Sequence, residues 1–275
     1  MSIITISRGS LSGGRELAER LAERLGYRCV SREVLLEAAA RYGVPEPKLF
    51  ELFEKKPSFW EWLTRSRERY LVFIQAAMCE FAQDGRLVYH GQAGQQLLAG
   101  VGHVLKVRLI TPLDRRAKVA MEQRHLTYEA AAKHIQRVDE ERYHRMRELF
   151  DVDWRDPRLY DLVLNLERMS LDTAVDTVVS LAKQPDFQAT AVSTKALEDL
   201  AVAARVKATL LANPTTSDIP LDVQANGGVV EISGVITALD DGQIEDRLRE
   251  LAMATPGVRS VVLDVQFRPV LAHPG

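Results

Sequence analysis

The sequence predicts an α/β protein, a parallel sheet with helices on both faces, followed by a small α+β unit. Three observations lead there. Residues 1–184 alternate strand-like and helix-like segments, the rhythm of parallel strands joined by helical crossovers. Residues 185–194, "PDFQATAVST", lose that periodicity and read as a linker. Residues 195–270 then change order to helix, strand, strand, helix, strand.

Ile3–Ser7 is the expected first strand. Residues 14–25 follow as a helix with Leu17, Leu21 and Leu25 four apart and Gly26 as C-cap. Ser31 is placed as N-cap of a helix through Ala40, with Glu33 in its first turn. "YGVPEP" ends that helix, and 46–83 reads as mostly helical around "FEKKPSFWEWL". Residues 86–90 and 104–110 are expected strands, and Pro112 is expected at the first position of the next helix. Residues 126–147 read as a charged helix capped by Thr127. Residues 162–165 form a short buried strand, and Ser170 caps a helix through Lys183. In the last segment 195–212 is helical, and strands 219–225 and 229–236 flank an Asn226-Gly227-Gly228 turn. A helix over 240–254 and a strand over 258–267 complete the unit.

The composition excludes several classes. With 46% hydrophobic and 27% charged residues in 275, this is an ordinary globular chain. A formal net charge of -2 supplies no basic field, so nucleic acid is not an expected partner. Cys29 and Cys79 share no metal or redox spacing and read as reduced thiols of a cytoplasmic protein. No apolar run approaches the roughly 20 residues that span a bilayer, and the first residues read as strand and loop rather than an export signal.

The chemistry starts at Gly9-Ser10-Leu11-Ser12-Gly13-Gly14-Arg15-Glu16. The glycine spacing matches the phosphate-binding pattern G-x-x-x-x-G-K-[ST], between a strand and a helix. Backbone N–H groups and the positive helix end can hold phosphate oxygens without any side chain. Arg15 keeps a cation where lysine would stand, as a planar fork. Glu16 cannot copy the hydroxyl that ligates Mg²⁺; it either faces solvent or holds the metal through water. The same glycines also suit a plain strand–helix turn.

"ITISRGSLSGGRELAERLAERLGY" resembles the opening of the cytidylate kinase-like family. The similarity continues in "RLVYHGQAGQQLL", in "VLKVRLITPLDRRAKVAMEQRHLTYEAAAKHIQRVDEERYHRM" and in "DVDWRDPRLYDLVLNLERMSLDTAVD", spanning about residues 1–184 in family order. The resemblance implies a nucleoside monophosphate kinase fold: a P-loop core, an acceptor-binding insertion over about 31–85 and a lid over about 115–147. It implies ATP and Mg²⁺ as cofactors and a nucleoside monophosphate, CMP or dCMP first, as acceptor. Carried over by position, Gly9, Ser10, Ser12, Gly13, Gly14, Arg15, Glu16 and Arg115 would bind ATP. Arg32, Gln92, Arg108 and Asp139 would face the acceptor, and Arg15, Arg137, Arg142 and Arg145 would neutralise the transferring phosphoryl group. No residue is assigned as a direct metal ligand.

Three positions depart from the family pattern. Gln92 stands where relatives usually have arginine, Leu11 where they have glycine, and Gly9 where they have an acidic residue. A second reading is therefore a catalytically inactive nucleotide-binding sensor. Other features read blandly. "RVDEERYHRMRE" alone could be a solvated helix face with Glu141 and Arg145 at i,i+4. His90, His103, His125, His134 and His144 read as structural or surface residues, "FWEWL" as helix packing and "DVDWRDP" as a structural turn.

"RVKATLLANP", "IPLDVQANGGVVEISGVITALDD" and "ATPGVRSVVLDV" resemble a BON domain over 195–270. The resemblance implies an interaction module, with a protein or phospholipid as possible partner. A regulatory, partner-binding or self-association role is expected; a passive stabilising domain is the alternative. Oligomeric state is open.

Overall fold

The computed structural model describes residues 1–43, 66–237 and 241–268. Residues 44–65 lie outside the described residues, and with them the first part of the stretch expected as helical over 46–83, the "FWEWL" cluster and part of the acceptor-binding insertion expected over 31–85.

The first sheet has five parallel strands in the order β2-β3-β1-β4-β5: β1 (Ile3–Arg8), β2 (Arg28–Ser31), β3 (Leu87–His90), β4 (Val104–Ile110) and β5 (Leu162–Asn165). Helices cover both faces, as the alternating pattern predicts. Side chains alternate between the two cores. Ile4, Ile6, Val88, Leu105 and Val107 face α1 (Gly14–Leu25), through Leu17 and Leu21, together with Val175 and Val178 near the end of the domain. Ile3, Leu87, Tyr89 and Val104 face the other way, onto α2 (Arg32–Ala40) and α3 (Ser66–Ala82).

After β3 comes the short α4 (Gly94–Leu97). After β4, α5 (Leu113–Arg124) and α6 (Tyr128–Phe150) pack on each other as a hairpin over the carboxyl ends of the strands. Thr127 caps α6, its Oγ1 accepting from the Ala130 N–H at 3.3 Å. After β5, Ser170 caps α7 (Leu171–Ala182) the same way, from Thr173 at 3.1 Å. Gly26 ends α1 at φ +66°, a conformation glycine adopts without strain.

Three local expectations are corrected. Strand β2, "RCVS", was not expected: it is a four-residue edge strand without an apolar alternation to reveal it, and it ends at Ser31, directly before α2 starts at Arg32 as expected. Pro112 is the N-cap, with ψ 145°, and α5 starts at Leu113. The segment expected as a linker, 185–194, contains a 3-10 turn at Pro185–Phe187 and the first turn of α8 (Ala191–Ala212). Thr190 and Ser193 form a reciprocal capping box there, which starts the helix early.

The C-terminal unit is a three-stranded mixed sheet. β6 (Leu221–Asn226) and β7 (Val229–Thr237) make an antiparallel hairpin through Gly227 and Gly228, and β8 (Ser260–Arg268) lies parallel to β7. α8 and α9 (Asp241–Met253) supply its core with Val206, Leu210, Leu248 and Ala252 against Val230 and Ile232.

Helix α8 serves two cores. Leu197, Ala201, Ala204 and Ala208 recur every three or four residues and pack into the first core against α3. Val202, Val206 and Leu210 lie on a neighbouring stripe and pack into the second. A polar contact reinforces the seam: buried His103 Nδ1 lies 2.9 Å from the Ser193 hydroxyl. Among the described residues no helix is long and apolar enough to cross a membrane.

Ala208→Leu overpacks the seam between α8 and α3. It should destabilise the protein by about 1–3 kcal/mol, and calorimetry should show both sheets melting earlier in one transition. A first sheet that melts unchanged would exclude α8 from its core. Burial holds His103 below the ordinary histidine range. Its neutral form therefore contributes stability that is full above about pH 6.5 and is lost as pH falls through the lowered folded value. Urea unfolding between pH 7 and 5 should show a fall in stability that is shallower in His103→Asn.

Candidate active site

The site is assembled where β1 ends. Ser12 is buried and its hydroxyl donates to the Gly9 carbonyl at 2.9 Å, folding the loop back on itself. The Thr111 hydroxyl, just past β4, donates to the Ser12 carbonyl at 2.9 Å. Gly13 holds φ +80° as the N-cap of α1 and uses no side chain, so the first-turn N–H groups of α1 keep the open end that an anion requires.

Leu11 sits at φ +56°, where a non-glycine residue is strained by about 1–2 kcal/mol. Packing offsets this strain. The Leu11 side chain joins Ala117, Ala120, Ala131 and Ile135 between α5 and α6, pinning the loop to that hairpin. The leucine keeps the backbone shape that glycine would give and adds an apolar anchor.

A buried ion pair grips the next peptide. Arg116 donates through Nε to the Ser10 carbonyl at 2.6 Å and through an Nη to Asp139 at 2.7 Å. Asp139 in turn accepts from the Ser10 N–H at 3.2 Å. The guanidinium lies so close that a Cβ at Gly9 would stand 2.9 Å from Arg116 Cζ. A side chain at position 9 would push the Arg116 guanidinium off its contacts with Ser10 and Asp139. Asp139, expected against the acceptor, instead faces the loop and a cavity of about 340 Å³ shared with Arg108, Thr111 and Trp154.

A larger cavity of about 430 Å³ opens on the other side of Ser10. The sheet side contributes Arg8, Arg32, Glu33, His90 and Gln92, and the hairpin contributes Arg124, His134, Glu141, Arg142 and Arg145. Arg142 is only 8% exposed, and among the described residues its Nε and one Nη have no hydrogen-bond partner. Burial, then the neighbouring Arg8, pushes it down to about 9. Burial likewise holds His90 below its ordinary range, with Arg8 adding to the effect. A cavity with this excess of desolvated cations is built for an anion.

An aromatic shelf supports the arginines. The Arg142 and Arg108 guanidiniums lie over the Trp154 ring at 5.2 and 5.1 Å, and Arg108 also approaches Tyr160 at 5.9 Å. The Tyr160 hydroxyl donates to the Trp154 carbonyl at 2.7 Å, lies 3.1 Å from Ser7 Oγ and accepts from Gln95 at 3.2 Å. The "DVDWRDP" turn is structural, as expected, with Asp156 capping the 3-10 turn Pro157–Leu159, but its tryptophan also positions cations.

The expected site residues are brought together in part. Arg32, Gln92, Arg142 and Arg145 share the larger cavity with Ser10, while Arg108 and Asp139 border the smaller. Arg115 donates to the Leu166 carbonyl at 2.7 Å. Arg15 is not brought to the cavity: its side chain is 77% exposed and pairs with Glu19 at 2.7 Å. Glu16 pairs with Arg20 on the same helix surface. Arg137 is also turned out, towards Glu141 at 3.9 Å. Sequence reasoning missed Arg8, Arg116 and Trp154. A signal existed for Arg116 and for the lid arginines. The buried stripe through Ala117 and Ala120 takes in Arg116, and the stripe through Ala131 and Ile135 reaches Arg142 seven residues on.

The residues present fit a nucleotide phosphate group, because the loop offers backbone N–H donors and Arg142 has unused ones. The Ser12 hydroxyl is engaged with the Gly9 carbonyl and does not copy a Walker-type Mg²⁺ ligand. Glu33 and Glu141 are the carboxylates lining the larger cavity.

Known proteins resemble this chain over its first domain. The model of the cytidylate kinase-like family matches residues 3–168. A cytidylate kinase of Ignicoccus hospitalis is 29% identical over 179 residues, covering 65% of this chain and 97% of that protein. One from Methanopyrus kandleri is 30% identical over 179 residues, covering 62% and 87%. A solved structure of an uncharacterized protein from Eubacterium ventriosum superposes with a TM-score of 0.53 at 21% identity, covering 66% of this chain and 97% of that one, which supports the fold. The matched span contains the loop, all five strands of the first sheet and the arginine-bearing hairpin, and the chain belongs to the cytidylate kinase-like family.

Proposed function

We propose that this protein is a cytoplasmic nucleoside monophosphate kinase that moves a phosphoryl group from ATP to a pyrimidine acceptor, CMP or dCMP. The observation that carries this reading is Arg142, buried in the larger cavity with donors unused among the described residues. ATP phosphates would rest on the loop and the first turn of α1, and the acceptor phosphate would enter the arginine-lined cavity. Arg32, Arg142 and Arg145 would bind and orient the acceptor phosphate and neutralise charge as it shifts between oxygens. Positioning and neutralisation supply most of the catalysis in this reaction class. Mg²⁺, when bound with ATP, would screen the phosphate charges, with Glu33 and Glu141 as the nearby carboxylates.

The sensor reading has its own support. Gln92 removes a cation from the acceptor side, and α8 gives the first core a rigid connection to the C-terminal unit. On that reading the unit, BON-like in sequence, receives the nucleotide signal and passes it to a protein or phospholipid partner.

A coupled ADP-release assay with ATP–Mg²⁺ against CMP, dCMP, UMP, AMP and GMP separates the two. Turnover with one pyrimidine monophosphate is expected; ATP binding without turnover on any acceptor would favour the sensor. Arg142→Met should lower kcat/KM by about 10²–10³-fold. The same substitution removes a desolvated charge, so its melting temperature should equal or exceed that of the wild type. Loss of both activity and stability would make Arg142 a structural residue.

A further inference from the structure

The kinase reading leaves one position unfilled. A phosphate-binding loop of this spacing normally sends a lysine, just after its last glycine, to the β/γ-phosphates. Here that residue is Arg15, and its side chain is turned into solvent against Glu19.

Arg8 is the residue that reaches the loop. It closes β1, directly before Gly9, and its side chain folds back across the start of α1. A Cβ built on Gly14 would stand 2.1 Å from Arg8 Cδ and 2.9 Å from its Cγ. The stem therefore occupies the space that any other residue at 14 would fill. Beyond the stem, Arg8 lines the larger cavity with Ser10 and Arg142. Its Nε is buried, and among the described residues it has no hydrogen-bond partner. Burial and Arg32 disfavour its charge, and Glu33 is the acid that counters them.

The two glycines thus do different jobs. Gly13 takes a left-handed φ of +80° to turn the chain into α1. Gly14 has no such φ; its missing side chain makes room for Arg8.

We propose that Arg8, reaching over Gly14 from the end of β1, is the side chain that binds the nucleotide phosphates at this loop in place of the lysine. The assignment rests on the kinase reading and deepens it. A planar guanidinium in this position offers two parallel donors to a phosphate, where lysine would offer a point charge. It also explains why the position after the glycines tolerates an arginine turned to the surface.

The test uses the full chain and four variants: Arg8→Met, Arg8→Lys, Gly14→Ala and Arg15→Ala. ATP–Mg²⁺ affinity is measured by calorimetry, with KM for ATP, kcat and melting temperature alongside. Arg8→Met is expected to weaken ATP binding at least tenfold without lowering the melting temperature. Arg8→Lys should recover part of that loss. Gly14→Ala keeps Arg8 in the sequence but blocks its path, so it should reproduce the loss, although alanine favours a helix more than glycine does. Arg15→Ala removes a side chain outside the cavity and should bind within twofold of wild type. If Arg8→Met fails to fold, Arg8→Lys and Gly14→Ala decide, and wild-type binding by both overturns the assignment. Arg8→Met binding like wild type while Arg15→Ala loses tenfold overturns the assignment and leaves the kinase reading intact. A wild-type chain that binds no ATP overturns the kinase reading, and the assignment with it.

Discussion

Ile3, Ile4 and Ile6 have core on both sides of them, and that constraint places β1 in the middle of the sheet. Its neighbours are β3 and β4: the chain lays β2 at one edge, returns with β3 beside β1, and only then builds on the other side with β4 and β5. Such a reversal opens a crevice at the carboxyl end of the central strand, and ligands of open α/β sheets bind there. The loop from Gly9 to Gly13 leaves β1 at that point. The arginines of β1, α2 and α6 converge on it because their elements all end or cross there.

Convergence of this kind opposes stability. Arg142 and Arg8 have buried nitrogens without hydrogen-bond partners among the described residues, and Leu11 holds a left-handed backbone. Each would be relieved by a different residue if folding were the only requirement. Strain and unpaired charge that survive in a well-packed core point to a site that a ligand completes. The surrounding structure holds the arrangement in place. Trp154 supports two guanidiniums, Tyr160 anchors Trp154, and Leu11 is seated among the small residues of the hairpin.

The C-terminal unit is joined to the first domain by the two apolar stripes of α8 rather than by a linker alone. α3, which packs on α8, leads directly into β3, and β3 ends at His90 in the cavity wall. A shift of α8 therefore has a short packed route to the candidate acceptor side.

Local chemistry was legible in the sequence wherever one residue decides it. Gly26 ends α1, Thr127 and Ser170 start their helices, and the glycine spacing marks the loop, because caps and turns depend on groups a few residues apart. The buried apolar runs also sufficed for the parallel sheet, and the family blocks for the kinase-like domain. Edge strand β2 was not legible, because its pairing partner supplies what its own polar residues lack. Charge alone could not sort the arginines. Arg137 and Arg142 share one charged helix, where only the stripe through Ala131 and Ile135 separates them, and Arg8 and Arg15 flank one loop with no periodic pattern to tell them apart. Only the tertiary structure turned Arg142 and Arg8 inward and left Arg137 and Arg15 in water, because burial depends on what packs across the helix and not on the residue itself.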